Sequence, residues 1–538
     1  MALRHLGGAG LRRAARGRAG FVALGCVLYL AAGVATTWPA VRHAGSSFVA
    51  GGAPGHGEAA PGDHLQTVYH LWLVGHQLEH GRAPWVDPYS FRPESAPTPN
   101  YPGWPFGLVF WPLGALFGIV RGWNAFVLLG YLAAGGLACG WLRSLGLPRG
   151  AALVGGLAFA IAPYRAAQST GHLLGPISIL LPLALWAIER RWLVVAVAAA
   201  ASIPLSGQVH LALGAVPFVC AYALVRRRDD RTFVAVGGII VAAATAGLLV
   251  KVTTIDHSHL SGGRSLDAVR QYSAGWRDLV RRHEGPSFER FVFLGWATAI
   301  LAAAGLVLLS RVRRGLAWVL GLGAAVPILL ALGTHLPTYS WVWHALPPFR
   351  YPRVPERLMP IACLCLAALV AFAVARAPRP VVVSALAIAL LLVDLHVRVY
   401  GASAADESNA AYAALRHAPP GRLLELPVFL PDLHYGSVYQ YYDIEAQRER
   451  PAGYSTVAPK SAYDLLRSLQ GVNCGRVSVR DLRGLHALGV RYVAVHPALY
   501  RYRRVVKGAA PCARAPARPI QTFPLVARTS EVAIYRLP

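Results

Sequence analysis

Apolar residues gather into twelve runs, near residues 21–40, 104–120, 123–142, 150–163, 173–188, 191–206, 209–225, 232–250, 291–310, 315–333, 358–375 and 380–397. Most approach the roughly 20 residues that an α-helix needs to cross a hydrocarbon core. Arginines punctuate alternate gaps: Arg143 with Arg149, Arg190 with Arg191, Arg226, Arg227 and Arg228 with Arg231, Arg311 with Arg313 and Arg314, and Arg376 with Arg379. Basic loops are retained on the cytoplasmic side. That rule places residues 42–103, 164–172, 207–208, 251–290, 334–357 and everything after about 398 on the exported side. Arg4, Arg12, Arg13, Arg16 and Arg18 precede the first run, which reads as an uncleaved signal anchor with its N-terminus inside. An inside N-terminus and an exported tail require an odd number of spans. The expectation is therefore 11–13 transmembrane helices, with 104–120, rich in Gly, Pro and Trp, as a re-entrant or interfacial segment.

The pattern changes in two places. In the long loop 42–103, Leu65, Val68, Leu71 and Trp72 share one face of a helix predicted over 63–79, the signature of an amphipathic helix lying on a membrane surface. After about residue 400 the chain turns polar, with strand-like pieces at 422–426, 492–496 and 531–537 and a helix at 481–488. The chain thus divides into a basic cytoplasmic N-terminus (1–20), a multi-spanning membrane domain (21–400) and an exported α/β domain (401–538). The predicted fold class is an α-helical polytopic membrane protein with a small exported α/β C-terminal domain.

Composition agrees with that class: 538 residues, 55% hydrophobic, 14% charged, mean hydropathy +0.43. The formal net charge of +27 raises nucleic-acid binding as an alternative. The arginines, however, sit at the ends of apolar runs, where they fit topology signals and membrane-lipid headgroups, and nucleic acid is set aside. Cys26, Cys139, Cys220, Cys363 and Cys365 fall within apolar runs, whereas Cys474 and Cys512 lie in the predicted exported tail. An oxidising compartment makes those two the disulfide candidates.

The candidate chemistry lies on the predicted exported face. Asp63 stands at the head of the 63–79 helix, where a carboxylate can take a proton from an attacking hydroxyl. Asp63 with Gln66 also matches a capping box, which would give the carboxylate a purely helical task. Arg350, Arg353 and Arg357 fall within eight residues, broken by prolines, and guanidinium groups suit a phosphate. His172 and His210 sit at the exported ends of spans, where a polar side chain can line a shared cavity. Tyr164 and Arg165, similarly placed, read as interfacial anchors. The loop histidines His56, His64, His70, His76 and His80 complete no metal-ligand set, although His76 and His80 are spaced i, i+4.

These features resemble the GT-C superfamily of integral membrane glycosyltransferases, in its poorly characterised bacterial branch. The likeness rests on a signal anchor, a long first exported loop with an acid near its start, and four short phrases. These are Gly62-Asp63, Gly171-His172-Leu173, Tyr272-Ser273-Ala274, and Leu346-Pro347-Pro348-Phe349 ahead of Arg353-Val354-Pro355-Glu356-Arg357. No second acid accompanies Asp63, which is followed by His64. The resemblance implies a GT-C-like fold in a bacterial plasma membrane. It implies transfer of a hexose or pentose from a polyprenyl-phosphate-linked donor to a cell-envelope glycan or lipid acceptor. Asp63 would be catalytic, and Arg353, Arg357, Arg350, His172, His210, His64 and Tyr272 would contact substrate. The residues call for no cofactor; the resemblance allows a divalent cation bound in part by Asp63. The alternative is a non-catalytic GT-C-like protein, a transporter or an assembly factor for lipid-linked glycans. The scarcity of charge inside the spans weighs against transport.

Overall fold

The computed structural model describes residues 8–51, 57–94, 96, 98–282, 288–474, 477–502 and 520–538. All twelve apolar runs are helical. In chain order the first part of the molecule carries α1 (Gly8–Thr37), α2 (Asp63–Glu79), α3 (Gly107–Phe117), α4 (Ile119–Ser144), α5 (Arg149–Ala160), α6 (Pro163–Gln168), α7 (Leu174–Ile177), α8 (Leu180–Arg190) and α9 (Leu193–Leu205). It continues with α10 (Val209–Arg226), α11 (Asp230–Thr253), α12 (Leu266–Arg270), α13 (Trp296–Ser310), α14 (Arg314–Ala331), α15 (Pro337–Ala345), α16 (Met359–Ala375) and α17 (Pro380–Asp394). Helices α1, α4, α10, α11, α14 and α16 are long and apolar enough to cross a membrane, and α3, α5, α9, α13 and α17 are shorter apolar helices. The chain is an integral membrane protein. Helix α16 is buried around most of its circumference, as an all-apolar helix at the centre of a bundle must be.

The arginine clusters meet at one end of the bundle. There Arg313 donates to the Leu145 carbonyl at 2.9 Å, Arg191 pairs with Asp229 at 3.0 Å, and Arg226 pairs with Glu189 at 2.7 Å. The long loops and the tail meet at the other end. Helix α3 starts and finishes on that second side. It follows residues that pair there with the first loop, and it ends at Gly118, whose φ of +81° reverses the chain. The Glu407 carboxylate then accepts from the Ile119 and Val120 N–H groups at the head of α4. Eleven residues rise about 16 Å, roughly half a hydrocarbon core. With both ends at the loop end and so short a helix between them, the 104–120 segment does not cross a hydrocarbon core.

Strands tie the loop end together. β1 (Ser47–Ala50) pairs antiparallel with β4 (Gly401–Ala404), and β2 (Val86–Asp87) pairs with β3 (Thr98–Pro99). The tail holds a four-stranded sheet of β5 (Arg422–Leu426), β6 (Val490–Val495), β7 (Leu525–Arg528) and β8 (Ala533–Arg536), in the order β5-β6-β8-β7. Only β5 and β6 run parallel, joined by a crossover that carries α19 (Ser437–Asp443), α20 (Lys460–Leu469) and α21 (Val479–Ala487). Helix α18 (Ala410–Arg416) packs beside β7.

The tail is packed onto the first loop. Helix α2 lies between α3 and α19, with His64, Thr67, His70 and Gln77 buried as well as its apolar side chains. This corrects the expectation of a helix laid on a membrane surface. Its polar positions find protein partners: His70 Nδ1 meets Asn100 Oδ1 at 2.9 Å, and Gln77 donates to the Val86 carbonyl at 3.0 Å. A fully buried cluster welds the junction. The Arg450 guanidinium pairs with Glu425 and, at 2.5 Å, with Asp443, and the Arg450 backbone N–H donates to the Tyr89 carbonyl. His496 of the tail likewise pairs with Glu58 of the loop.

Cys26, Cys139, Cys220, Cys363 and Cys365 are free thiols. Cys474 is disulfide-bonded, and Cys512 lies outside the described residues. Alkylation of the native protein is expected to leave Cys474 unmodified until reductant is added, read as a mass shift on its peptide. A Cys474 that alkylates without reductant contradicts the bond.

Candidate active site at the head of the second helix

Asp63 is the first residue of α2, and the N-cap position belongs to Gly62, which offers no side chain. The helix start is instead anchored from outside, by a hydrogen bond from the Gly62 N–H to Ser437 Oγ. The capping-box alternative fails on this register. Asp63 turns away from the helix, accepting from Tyr454 Oη on Oδ1 at 2.8 Å and meeting His172 Nε2 with Oδ2 at 2.8 Å. Gln66 also serves the tail, donating to the Tyr454 carbonyl at 2.6 Å. Tyr454 is thus fixed through its backbone by one residue of α2 and gives its hydroxyl to another.

His172 reaches Asp63 because its neighbour lets the two segments touch. The Gly171 carbonyl accepts from Thr67 Oγ1 at 2.7 Å. A Cβ at Gly171 would lie 2.8 Å from the His64 backbone nitrogen, inside contact distance, so glycine is needed for this approach. Glu289 completes the group. Its Oε1 is 3.7 Å from His172 Nε2 and 3.5 Å from the Arg357 guanidinium. A network therefore runs Tyr454–Asp63–His172–Glu289–Arg357.

All five residues line one cavity of about 270 Å³, together with His210, Arg264 and Arg353. Arg353 lies over the Tyr272 ring at 4.8 Å. Arg264 donates to the Tyr351 carbonyl at 3.1 Å. Burial and the neighbouring Arg353 and Arg357 push the Arg264 guanidinium down to about 10, which leaves it charged at neutral pH. His210 is oriented with Nδ1 buried and unpartnered. The cavity thus holds the guanidinium groups of Arg264, Arg353 and Arg357 and the carboxylates of Asp63, Asp87 and Glu289.

Partial burial works to raise the Asp63 carboxyl's pKa. The charge and hydrogen bond of His172, with the Tyr454 hydroxyl, outweigh it and hold the carboxyl well below the usual carboxylate range. Asp63 is ionised throughout the physiological range.

Of the residues singled out from sequence, Asp63, His172, His210, Arg353 and Arg357 face the cavity. Arg350 does not. Its guanidinium donates to the Trp343 and His344 carbonyls at the end of α15 and stacks on the Trp343 ring, the ordinary use of a cation at a helix C-terminus. His64 packs edge-on against Phe48, and burial pushes its imidazole down to about 4, so it is a neutral core residue. Tyr272 supports Arg353 from behind. Tyr164 and Arg165 are buried, not interfacial: Arg165 donates to the Ala160 and Gly130 carbonyls. Glu289, Tyr454 and Arg264 were not legible as site residues. Glu289 had one signal, an isolated acid just before an apolar run.

A divalent cation does not fit here. Both Asp63 oxygens already face protein donors, and among the described residues no three His, Cys, Asp or Glu side chains form a ligand group. His76 and His80 are otherwise engaged, with Tyr89 and with the His76 carbonyl.

No family model matches the chain, and no curated protein matches its sequence. Solved structures do match in fold. The arabinofuranosyltransferase AftD from Mycobacteria superposes over 96% of this chain with a TM-score of 0.56 at 15% identity. The chain spans only 40% of that protein. ArnT from Cupriavidus metallidurans, in a structure bound to undecaprenyl phosphate, superposes over 96% of this chain and 97% of its own, with a TM-score of 0.52 at 14% identity. The short α3, the loop-borne α2 and the tail-covered cavity belong to a chain that shares the GT-C-like fold of these structures.

Proposed function

We propose that this protein transfers a sugar from a polyprenyl-phosphate-linked donor to a hydroxyl of a cell-envelope glycan or lipid at the exported membrane face. One observation carries the reading: the Asp63–His172 pair and the guanidinium groups of Arg353 and Arg357 line a single cavity. Glycosyl transfer needs those two functions side by side. The acceptor hydroxyl must lose a proton as it attacks, and the departing lipid phosphate must be stabilised as it gains charge. The ArnT structure, bound to undecaprenyl phosphate, supports a lipid-phosphate ligand for a protein of this fold. The basic loops at the far end of the bundle support an exported site.

The test is turnover of labelled undecaprenyl-phosphate sugars, in a panel of hexoses and pentoses, by the full-length protein in nanodiscs. No turnover with any member, under conditions where undecaprenyl phosphate itself fails to bind, would overturn the reading. Arg357→Ala is expected to lower kcat by about 10²- to 10³-fold, the range seen when one preorganised electrostatic group is removed from a transition state. Arg350→Ala is expected to leave kcat within about twofold, since that side chain serves a helix end worth about 0.3–1 kcal/mol. Equal losses from both substitutions would show that the arginine contribution is structural.

A further inference from the structure

We infer that His172, not Asp63, takes the proton from the acceptor hydroxyl, with Asp63 as the anion that holds the imidazole in place. The inference rests on the glycosyl-transfer reading above and assigns the roles within its site.

Three observations lead to it. First, both Asp63 oxygens are engaged, by Tyr454 Oη and by His172 Nε2, each at 2.8 Å. A carboxylate held in this way has little basicity left. Its oxygens already face two protein groups, so neither is free to take a further proton from an incoming hydroxyl. Second, the contact to Asp63 is made through His172 Nε2. A carboxylate there fixes the tautomer with its proton on Nε2, which leaves the lone pair on Nδ1. Third, Nδ1 is neither hydrogen-bonded among the described residues nor enclosed, in a side chain that lines the cavity. Other charged groups are placed to assist. Glu289 lies 3.7 Å from the same Nε2, so an imidazolium would meet two carboxylates, and Glu289 is itself paired to Arg357. His434 faces Asp63 from the tail.

The acceptor oxygen forms a bond to the anomeric carbon as its proton passes to His172 Nδ1. The bond from the anomeric carbon to the phosphate oxygen breaks, and its electron pair leaves with the lipid phosphate. The products are the glycoside, the lipid phosphate with one further negative charge, and an imidazolium between Asp63 and Glu289. That proton then passes to solvent.

The experiment compares wild type, His172→Ala and His172→Gln in nanodiscs, with undecaprenyl phosphate binding measured on each. Glutamine can still donate to Asp63 but has no basic nitrogen. Both variants are expected to bind undecaprenyl phosphate and to lose about 10²- to 10⁴-fold in kcat, the range of general-base catalysis. Added imidazole is expected to restore at least about tenfold to His172→Ala, as a mobile base filling the space left by the ring. Near-wild-type turnover in His172→Gln, or no response of His172→Ala to imidazole while it still binds lipid, would overturn the assignment and leave the glycosyltransferase reading intact. A wild type that turns over no lipid-linked sugar would overturn both. A variant that no longer binds undecaprenyl phosphate would show that His172 holds the donor side of the cavity, which also overturns the assignment.

Discussion

Asp63→Asn is expected to lower turnover by about 10³- to 10⁴-fold with little change in lipid binding or thermal stability, comparable to the loss when an orienting carboxylate is made an amide in other His-dependent enzymes. The isostere keeps the shape, and its oxygen can still accept from the Tyr454 hydroxyl. Its NH₂ group, however, would face His172 Nε2, 2.8 Å away, so the imidazole must present a lone pair there and carry its proton on Nδ1. The nitrogen open to the cavity would then be a donor. The measurement is kcat and undecaprenyl phosphate binding on the same preparation. An Asp63→Asn protein that turns over at the wild-type rate would remove Asp63 from the chemistry. Loss of lipid binding as well would make it a structural residue.

The second large effect concerns the fold. Arg450→Met is expected to destabilise the protein by about 3–5 kcal/mol, because it strands two buried carboxylates without their cation. Arg450, Glu425 and Asp443 are all fully enclosed. Burial pushes both carboxyls up, Asp443 to about 7, so the guanidinium is what makes their charge tolerable. Arg450 also donates to the Tyr439 carbonyl, and its backbone meets Tyr89 of the first loop. The loss should appear as a lower midpoint of thermal unfolding in nanodiscs. Adding Glu425→Gln and Asp443→Asn to Arg450→Met should recover a substantial part of it, since no uncompensated charge then remains. Failure of that recovery would mean that the arginine acts through packing alone.

How much of this was readable beforehand depends on the range of the interaction. Helix-length apolar runs report local free energies, and every one of the twelve folded as a helix. The shortness of α3 was foreshadowed by its Gly, Pro and Trp content. Tail strands showed through β-branched and aromatic pieces. Asp63 was visible because it stands at the head of a helix in a long loop. Pattern failed where a partner lay far along the chain. The polar face of α2 looked solvent-facing because nothing within 63–79 shows that α19 covers it. Gln66 looked like half of a capping box because its acceptor, the Tyr454 carbonyl, lies 388 residues away. The three clustered arginines looked equivalent, yet a 3₁₀ turn over Pro347–Arg350 aims one at a helix end, while the following segment aims two at the cavity. Glu289 and Tyr454 carried no local signature, since their importance lies wholly in which distant side chains they meet.

The pairing of β1 with β4 has a consequence for biosynthesis. Phe48 is opposite Ser403, so a strand made near the start of translation waits for a partner more than 350 residues later. At roughly 5–20 residues per second, that delay is on the order of a minute. The head of α2 depends on Ser437 and Tyr454, which emerge later still. Helices can enter the bilayer one after another as they leave the ribosome, but the network around Asp63 can assemble only when translation is nearly complete. A chain stopped anywhere before the tail would hold its membrane helices without the Asp63 network, whose partners Ser437 and Tyr454 would still be missing.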